Sequence, residues 1–232
     1  MNTQPPPSQG TVYGVLLNDR ATVDRLAPQF SEPPYKAAPK APVLYIKPRN
    51  TYASDGATVP IPHDPGAVSV EATLGLVIGA TARRVSREQA MAHVSGFIIA
   101  SDLTLPHDNY YRPAIRQRCR DAFCPMSRTF AASSGFDIDR AELEITIHHG
   151  AGHPSTHYRR SFADLVRSAP VLLADVTEFM TLSPGDVLLL GPGDGSPLAR
   201  AGDAVLINVP GLGQLRHTLV AEIAASLAGA HA

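Results

Sequence analysis

The stretch VSVEATLGLVIG, Val68 to Gly79, decides how the rest of the chain is read. Strand side chains alternate, so Val68, Val70, Ala72, Leu74, Leu76 and Ile78 form one apolar face, while Glu71 and Thr73 are neighbours on the other. A carboxylate in so apolar a strand needs water, a hydrogen-bond donor or a metal ion. The spacing alone leaves two readings open: a sheet face wetted by solvent, or a site. A second carboxylate, Asp102, ends another apolar run, GFIIASD from Gly96. Strand ends often line the mouth of a site, although Asp is equally at home in a turn. Neither carboxylate has a basic partner close by in sequence, and such a pair of oxygen ligands suits a hard cation such as Mg2+.

Working outward, short runs rich in Val, Ile and Leu and bounded by Gly, Pro or Asp predict further strands. They fall at residues 12–18, 43–48, 66–79, 94–102, 143–149, 186–191 and 203–209. Pro28, Pro33, Pro34, Pro39 and Pro42 between the first two runs predict an extended, wrapping loop, because proline breaks helices and central strands. Two helices are expected. SREQAMAHV has Ser86 as N-cap with Gln89 three residues on, a capping-box pattern. Residues 161–180 carry apolar residues at helical spacing, with Pro170 restarting or kinking the helix and SPGD (183–186) ending it. The fold class read from this pattern is mainly β with few helices (α+β). Residues 1–10 read as a disordered, proline-rich tail, and 11–232 as a single domain without repeats.

Composition excludes several classes of function. The chain has 232 residues with 20 Lys and Arg against 21 Asp and Glu, a formal charge of -1, which argues against a nucleic-acid surface. No apolar run approaches the roughly 20 residues that cross a bilayer, and the first ten residues lack the basic and apolar regions of a signal peptide. Cys119 and Cys124, the two cysteines, are too few for a disulfide framework, so a reduced cytoplasmic protein is expected. Both read as inert, partly buried thiols.

NYYRPAIRQRCRD, Asn109 to Asp121, gathers Arg112, Arg116, Arg118 and Arg120. This is either a solvated basic segment or an anion site, since guanidinium groups pair bidentately with carboxylates. In a near-neutral chain, a small polycarboxylate is the better partner. His148, His149, His153 and His157 lie within ten residues, where a transition metal would fit, but the sequence around them reads as a hairpin tip with solvated histidines. GPGDGSP (191–197) lacks the Lys and Ser/Thr of a phosphate-binding loop and reads as a site rim or a plain turn.

Taken in order, YIKPRNT (45–51), VEATLGLVIG (70–79), Asp102 at its strand end, NYYRP with CRDAFCPM (109–126) and EFMTLSPGDVLLLG (178–191) resemble the fumarylacetoacetate hydrolase family over about residues 11–222. The likeness is to the N-terminal half of enzymes built from two similar halves, fused or separate. It implies a rolled β-sheet architecture and a site holding Mg2+ or Mn2+ on a Glu-x-Glu pair and a later Asp. Glu71 and Asp102 fall on that pattern, but Thr73 stands at the second Glu. Arg118 replaces a family lysine, Gly191-Pro192-Gly193 replaces a Gly-Thr-Pro loop, and a histidine after Asn18 is missing. Losing one carboxylate weakens a divalent-cation site, and an arginine cannot act as a general base.

The resemblance implies an enzyme that decarboxylates 5-oxopent-3-ene-1,2,5-tricarboxylate, isomerises 2-hydroxyhepta-2,4-diene-1,7-dioate, or does both through a metal-stabilised dienolate. On this reading Glu71 and Asp102 hold the metal, Arg118 and Lys47 are catalytic, and Lys47, Arg112, Tyr111 and Gly191 bind substrate. The partners implied are a polycarboxylate 2-oxo acid and either a second copy of the chain or a homologous C-terminal-type subunit. Two alternatives stay open: a non-catalytic subunit paired with a metal-binding sister chain, and a 2-oxo acid or diketone hydrolase, for which no water-activating base is evident.

Overall fold

The computed structural model describes residues 10–107, 110–132 and 136–223, so nearly all of the expected tail, and Asn109, lie outside the described residues. In chain order its first elements are β1 (Val12–Leu16), α1 (Arg20–Phe30), β2 (Val43–Lys47), β3 (Tyr52–Ser54), β4 (Ala57–Ile61), β5 (Ala67–Ile78), α2 (Arg87–Ala90) and β6 (Val94–Thr104). There follow α3 (Ile115–Arg118), β7 (Cys124–Met126), β8 (Phe130–Ala131), β9 (Glu142–His148), β10 (Thr156–Ser161) and α4 (Ala169–Phe179). The last are β11 (Val187–Leu189), β12 (Leu198–Arg200), β13 (Ala204–Val209) and β14 (Gly213–Ala221).

The strands form two sheets. One has the order β2-β1-β11-β5-β6-β7-β3, with β12 also paired to β5 and β8 to β6. The other has the order β10-β9-β13-β14-β4. The chain is mainly β, with four α-helices among the described residues, two of them a single turn. The apolar face of β5 packs on the second sheet: Val70, Leu74 and Leu76 share one core with Ile145, Ile207 and Leu215. The other face of β5 is covered as well, because Val77 packs with Ile98, Met126 and Leu189. Glu71 and Thr73 lie on this second face and are buried, so the solvated-face reading is overturned.

Three local expectations are corrected. The proline-rich stretch after β1 begins with a helix, α1, whose N-cap Asp19 accepts a hydrogen bond from the Thr22 amide. Pro28 sits inside α1, one turn from its end, so it removes a single backbone hydrogen bond; Leu26 and Phe30 on the buried face hold the helix against Leu16 and Leu17. The capping box at Ser86 does not form: α2 lasts one turn before a 3-10 turn, and no Ser86 side-chain cap is made. The helix expected over 161–180 starts at Ala169, where Pro170 occupies the first turn that tolerates it; Ser161 ends β10, and residues 162–168 are not helical.

Candidate functional site

β5 and β6 are antiparallel, and their register sets Glu71 directly opposite Asp102 on one face. Like charges facing each other across a ladder repel, so a cation has to lie between them. Arg118, the last residue of α3, supplies it: Nη2 is 2.6 Å from Glu71 Oε2 and Nη1 is 3.1 Å from Asp102 Oδ2. Lys47 at the end of β2 takes the other oxygen of Asp102, with Nζ 2.8 Å from Oδ1. Its ammonium also donates to the carbonyls of Arg118 (2.6 Å) and Phe123 (3.1 Å). Tyr45, on the same face of β2 as Lys47, donates its hydroxyl to Asp102 Oδ2 and lies under the Arg118 guanidinium, 5.0 Å from ring centroid to Cζ. Gly14 on β1 pairs with Tyr45, and any Cβ there would collide with the tyrosine ring.

This arrangement sorts the two carboxylates. Burial pushes Asp102 up, but Lys47 and Arg118 more than offset it and hold the carboxyl below its ordinary range. Glu71 is raised, because its burial outweighs the attraction of Arg118 and Asp102 repels a second negative charge. Arg118 is buried, yet the two carboxylates hold its proton more firmly than water would. Burial and the Asp102 charge likewise keep the Tyr45 hydroxyl protonated well above its usual range.

Two hollows meet at this cluster. A polar one of about 200 Å³ is lined by Glu71, Ser69, Thr104, His107 and Tyr110, and is roofed by Thr22 and Arg25 of α1 and by residues 192–196. A more apolar one of about 390 Å³ is lined by Tyr45, Arg118, Arg112, Tyr111 and neighbours. His107 and Tyr110 belong to both. The roof is tied down through Asp194, which takes the Arg25 guanidinium (2.7 Å) and whose amide donates to Asp19 Oδ2 (3.2 Å).

Glu71, Asp102, Arg118 and Lys47 are therefore brought together, although only the first and third reach a hollow. Lys47, expected to meet substrate, has no exposed surface here; its ammonium donates to two backbone carbonyls and lies 2.8 Å from Asp102 Oδ1. Gly191 lines neither hollow, and its φ of +96° and the closeness of the Val15 carbonyl to any added Cβ require glycine at this turn. Arg112 and Tyr111 sit exposed at the rim of the apolar hollow. Cys124 is buried, its thiol pushed up to about 12 by burial, whereas Cys119 lines the apolar hollow. His148 and His157 lie on the β9–β10 hairpin, while His149 is held by Asp203 and Thr156. Reading the sequence missed Tyr45, Tyr110, His107 and Arg25. The signal for Tyr45 was available, since it shares a strand face with Lys47.

The residues present do not fit a divalent cation. Among the described residues no group of three or more His, Cys, Asp or Glu side chains converges. Thr73, at the position of the expected third carboxylate, turns its hydroxyl to the Leu74 carbonyl at 3.2 Å. Both oxygens of Asp102 are engaged by cationic side chains.

A curled, mainly β chain with an acid–base cluster buried beneath a two-lobed cleft has the makings of a small-molecule enzyme. The sequence profile of the fumarylacetoacetate (FAA) hydrolase C-terminal family matches residues 11–220, and the chain belongs to that family. It is 40% identical over 214 residues to the 4-hydroxyphenylacetate degradation bifunctional isomerase/decarboxylase of Salmonella dublin, covering 92% of this chain and 48% of that protein. The chain thus spans about half the length of this relative. It is 30% identical to the oxaloacetate tautomerase YcgM of Escherichia coli, over 75% of this chain and 80% of that one. In structure it resembles 5-carboxymethyl-2-hydroxymuconate delta-isomerase from Mycobacterium smegmatis, with a TM-score of 0.74, 25% identity, and coverage of 94% of this chain and 81% of that one. No helix among the described residues is long and apolar enough to cross a membrane.

Proposed function

We propose that this chain moves a proton between oxygen and carbon in an unsaturated 2-oxo dicarboxylate, isomerising 2-hydroxyhepta-2,4-diene-1,7-dioate to its 2-oxo-3-ene form. The observation that carries this reading is Glu71: a buried carboxylate, raised above its ordinary range, paired to a fixed guanidinium and facing a polar hollow. A keto–enol shift needs one group that takes and returns a proton, and one that steadies negative charge on oxygen. Glu71 takes the proton of the substrate's 2-hydroxyl. The electron pair moves through the diene, the 2-oxo group forms, and the proton returns from Glu71 to C5. Arg118 faces the developing oxyanion. Its guanidinium lines the apolar hollow, on the side from which that oxygen would approach. Arg112 and Tyr111 at the rim of the apolar hollow receive the distal carboxylate. Loss of CO2 from 5-oxopent-3-ene-1,2,5-tricarboxylate leaves a similar dienolate, so the same cluster serves a decarboxylation in which the C–CO2 bond breaks and its electrons move toward the oxo oxygen. A reduced, cytoplasmic setting suits the two free thiols.

The names of the Salmonella and Mycobacterium relatives support this substrate class, and that of the tautomerase supports the proton shift. The test is the decay of dienol absorbance with the purified chain and with Glu71→Gln. That substitution keeps the shape and removes the base. A fall in kcat of about 100-fold or more is expected; an unchanged kcat contradicts the assignment.

A second reading rests on the length of the Salmonella relative: this chain is one half of a pair, associating with a homologous C-terminal-type chain or with its own copy. Where the partner is the homologous chain, this chain alone is inactive, and turnover appears only when that sister half is added.

A further inference from the structure

The cluster carries its own cation. We infer that the Arg118 guanidinium stands where a divalent metal would otherwise sit, so that this site binds neither Mg2+ nor Mn2+, and that Arg118 and Thr73 are the two residues that close it. This deepens the reading above for the same site, but its test reads metal binding rather than turnover, so either can fail without the other.

Three observations carry the inference. First, of the four carboxylate oxygens in the cluster, three are already engaged: Glu71 Oε2 by Arg118, Asp102 Oδ1 by Lys47, and Asp102 Oδ2 by Arg118 and Tyr45. Mg2+ asks for about six oxygens in a near-octahedral shell, and Thr73 offers a neutral hydroxyl where a third carboxylate would bring negative charge. Secondly, the charges are balanced without a metal, with two carboxylates against one lysine and one arginine. A divalent ion added to this buried set would leave two uncompensated positive charges, which low-dielectric surroundings disfavour. Thirdly, the guanidinium cannot make room by losing its proton, as a lysine could. Its departure would break both ion pairs and its contact with the Tyr45 ring. Lys47, held by the Arg118 and Phe123 carbonyls, lies 2.8 Å from Asp102 Oδ1 and leaves Oδ2 to Arg118.

The consequence is chemical. A metal holds a 2-oxo acid by two oxygens at once, whereas a guanidinium already committed through Nη1 to Asp102 and Nη2 to Glu71 offers no such chelation. A ligand reaching this point meets the charge of the guanidinium rather than a chelating ion.

The experiment is a Mn2+ titration followed by the electron paramagnetic resonance signal of the free ion. The full wild-type chain is compared with a Thr73→Glu/Arg118→Ala double variant. The wild type is expected to leave the Mn2+ signal unchanged at millimolar metal. The double variant, with a third carboxylate and no guanidinium, is expected to bind one Mn2+ per chain, tighter than wild type by roughly 100-fold or more. One Mn2+ per wild-type chain, lost on Glu71→Gln, would overturn the inference. A folded double variant that gains no binding would overturn the assignment of Arg118 and Thr73 as the closing residues. If the double variant does not fold, the wild-type titration still decides, with unchanged signal supporting the inference and stoichiometric binding refuting it.

Discussion

Whether Glu71 works as a base depends on the residues that hold Arg118 in place. Tyr45 is held between Asp102 and Arg118, and its ring occupies the space that a side chain on Gly14 would need. Gly14→Ala therefore has to push Tyr45 aside, and Arg118 with it. The expected result is a fall in kcat of about tenfold or more with a smaller change in KM, since positioning errors of an ångström are costly. Steady-state kinetics checks it, and a normal kcat would mean that Tyr45 can move without consequence. His217 is a second buried group, on the face of β6 opposite Asp102. Its Nε2 lies 2.9 Å from Ser101 Oγ, next in sequence to Asp102, and burial draws its pKa down from 6.5 to about 4. In this range the unfolded chain binds more protons than the folded one, so His217's contribution to stability is complete above pH 6.5. It is lost as pH falls from 6.5 toward 4, by up to roughly 3 kcal/mol. Urea unfolding across this window should show a shallower loss of stability for His217→Gln than for wild type; equal slopes would place the imidazole in water. At this scale the sequence is only partly legible. Glu71 and Asp102 stand out against apolar strands, but their partner Arg118 is 47 residues from one and 16 from the other. No local pattern shows that it folds between them.

At the scale of elements, strands with one apolar face are legible: β5, β6 and β13 lie close to where alternation puts them. What escapes is of two kinds. β10 is almost wholly polar, and β14 alternates Leu215, His217 and Leu219 with exposed polar residues, so neither has the dense Val and Ile run that marks a buried strand. α1 is hidden by the prolines that follow it, although Asn18-Asp19 before it carries the helix-start signal. That cap matters for the cleft as well as for the helix. Asp19 Oδ2 accepts from the Thr22 amide, the Thr22 hydroxyl and the Asp194 amide, joining α1 to the loop that roofs the polar hollow. Asp19→Ala should cost about 1 kcal/mol, which lowers Tm by roughly 2–4 °C in a chain of this size. It should also raise KM more than it lowers kcat, because the roof loosens while Glu71 and Arg118 stay in place. Thermal melts and steady-state kinetics read both, and an intact KM with a lowered Tm would confine Asp19 to a capping role.

For the whole molecule, the two sheets explain why a charged cluster can persist inside a mainly β chain. β5 is buried on both faces: one is apolar throughout, and the other carries Glu71 and Thr73 beside the apolar packing of Val77. The cluster therefore lies at the end of a rigid apolar layer, beneath a roof from α1 and residues 192–196, with solvent reaching it through the cleft. The mainly β class and the family likeness were legible in the order of motifs along the chain. The closing of the carboxylate pair by arginine and lysine was not, because it is a property of the assembled sheet. The proposed proton transfer uses only groups that this chain folds around. The most direct measurement is the rate of dienol loss with the purified wild-type chain after exhaustive chelation. Turnover that survives EDTA and gains nothing from added Mn2+ is the predicted result. A rate that vanishes on chelation and returns with metal would contradict the account.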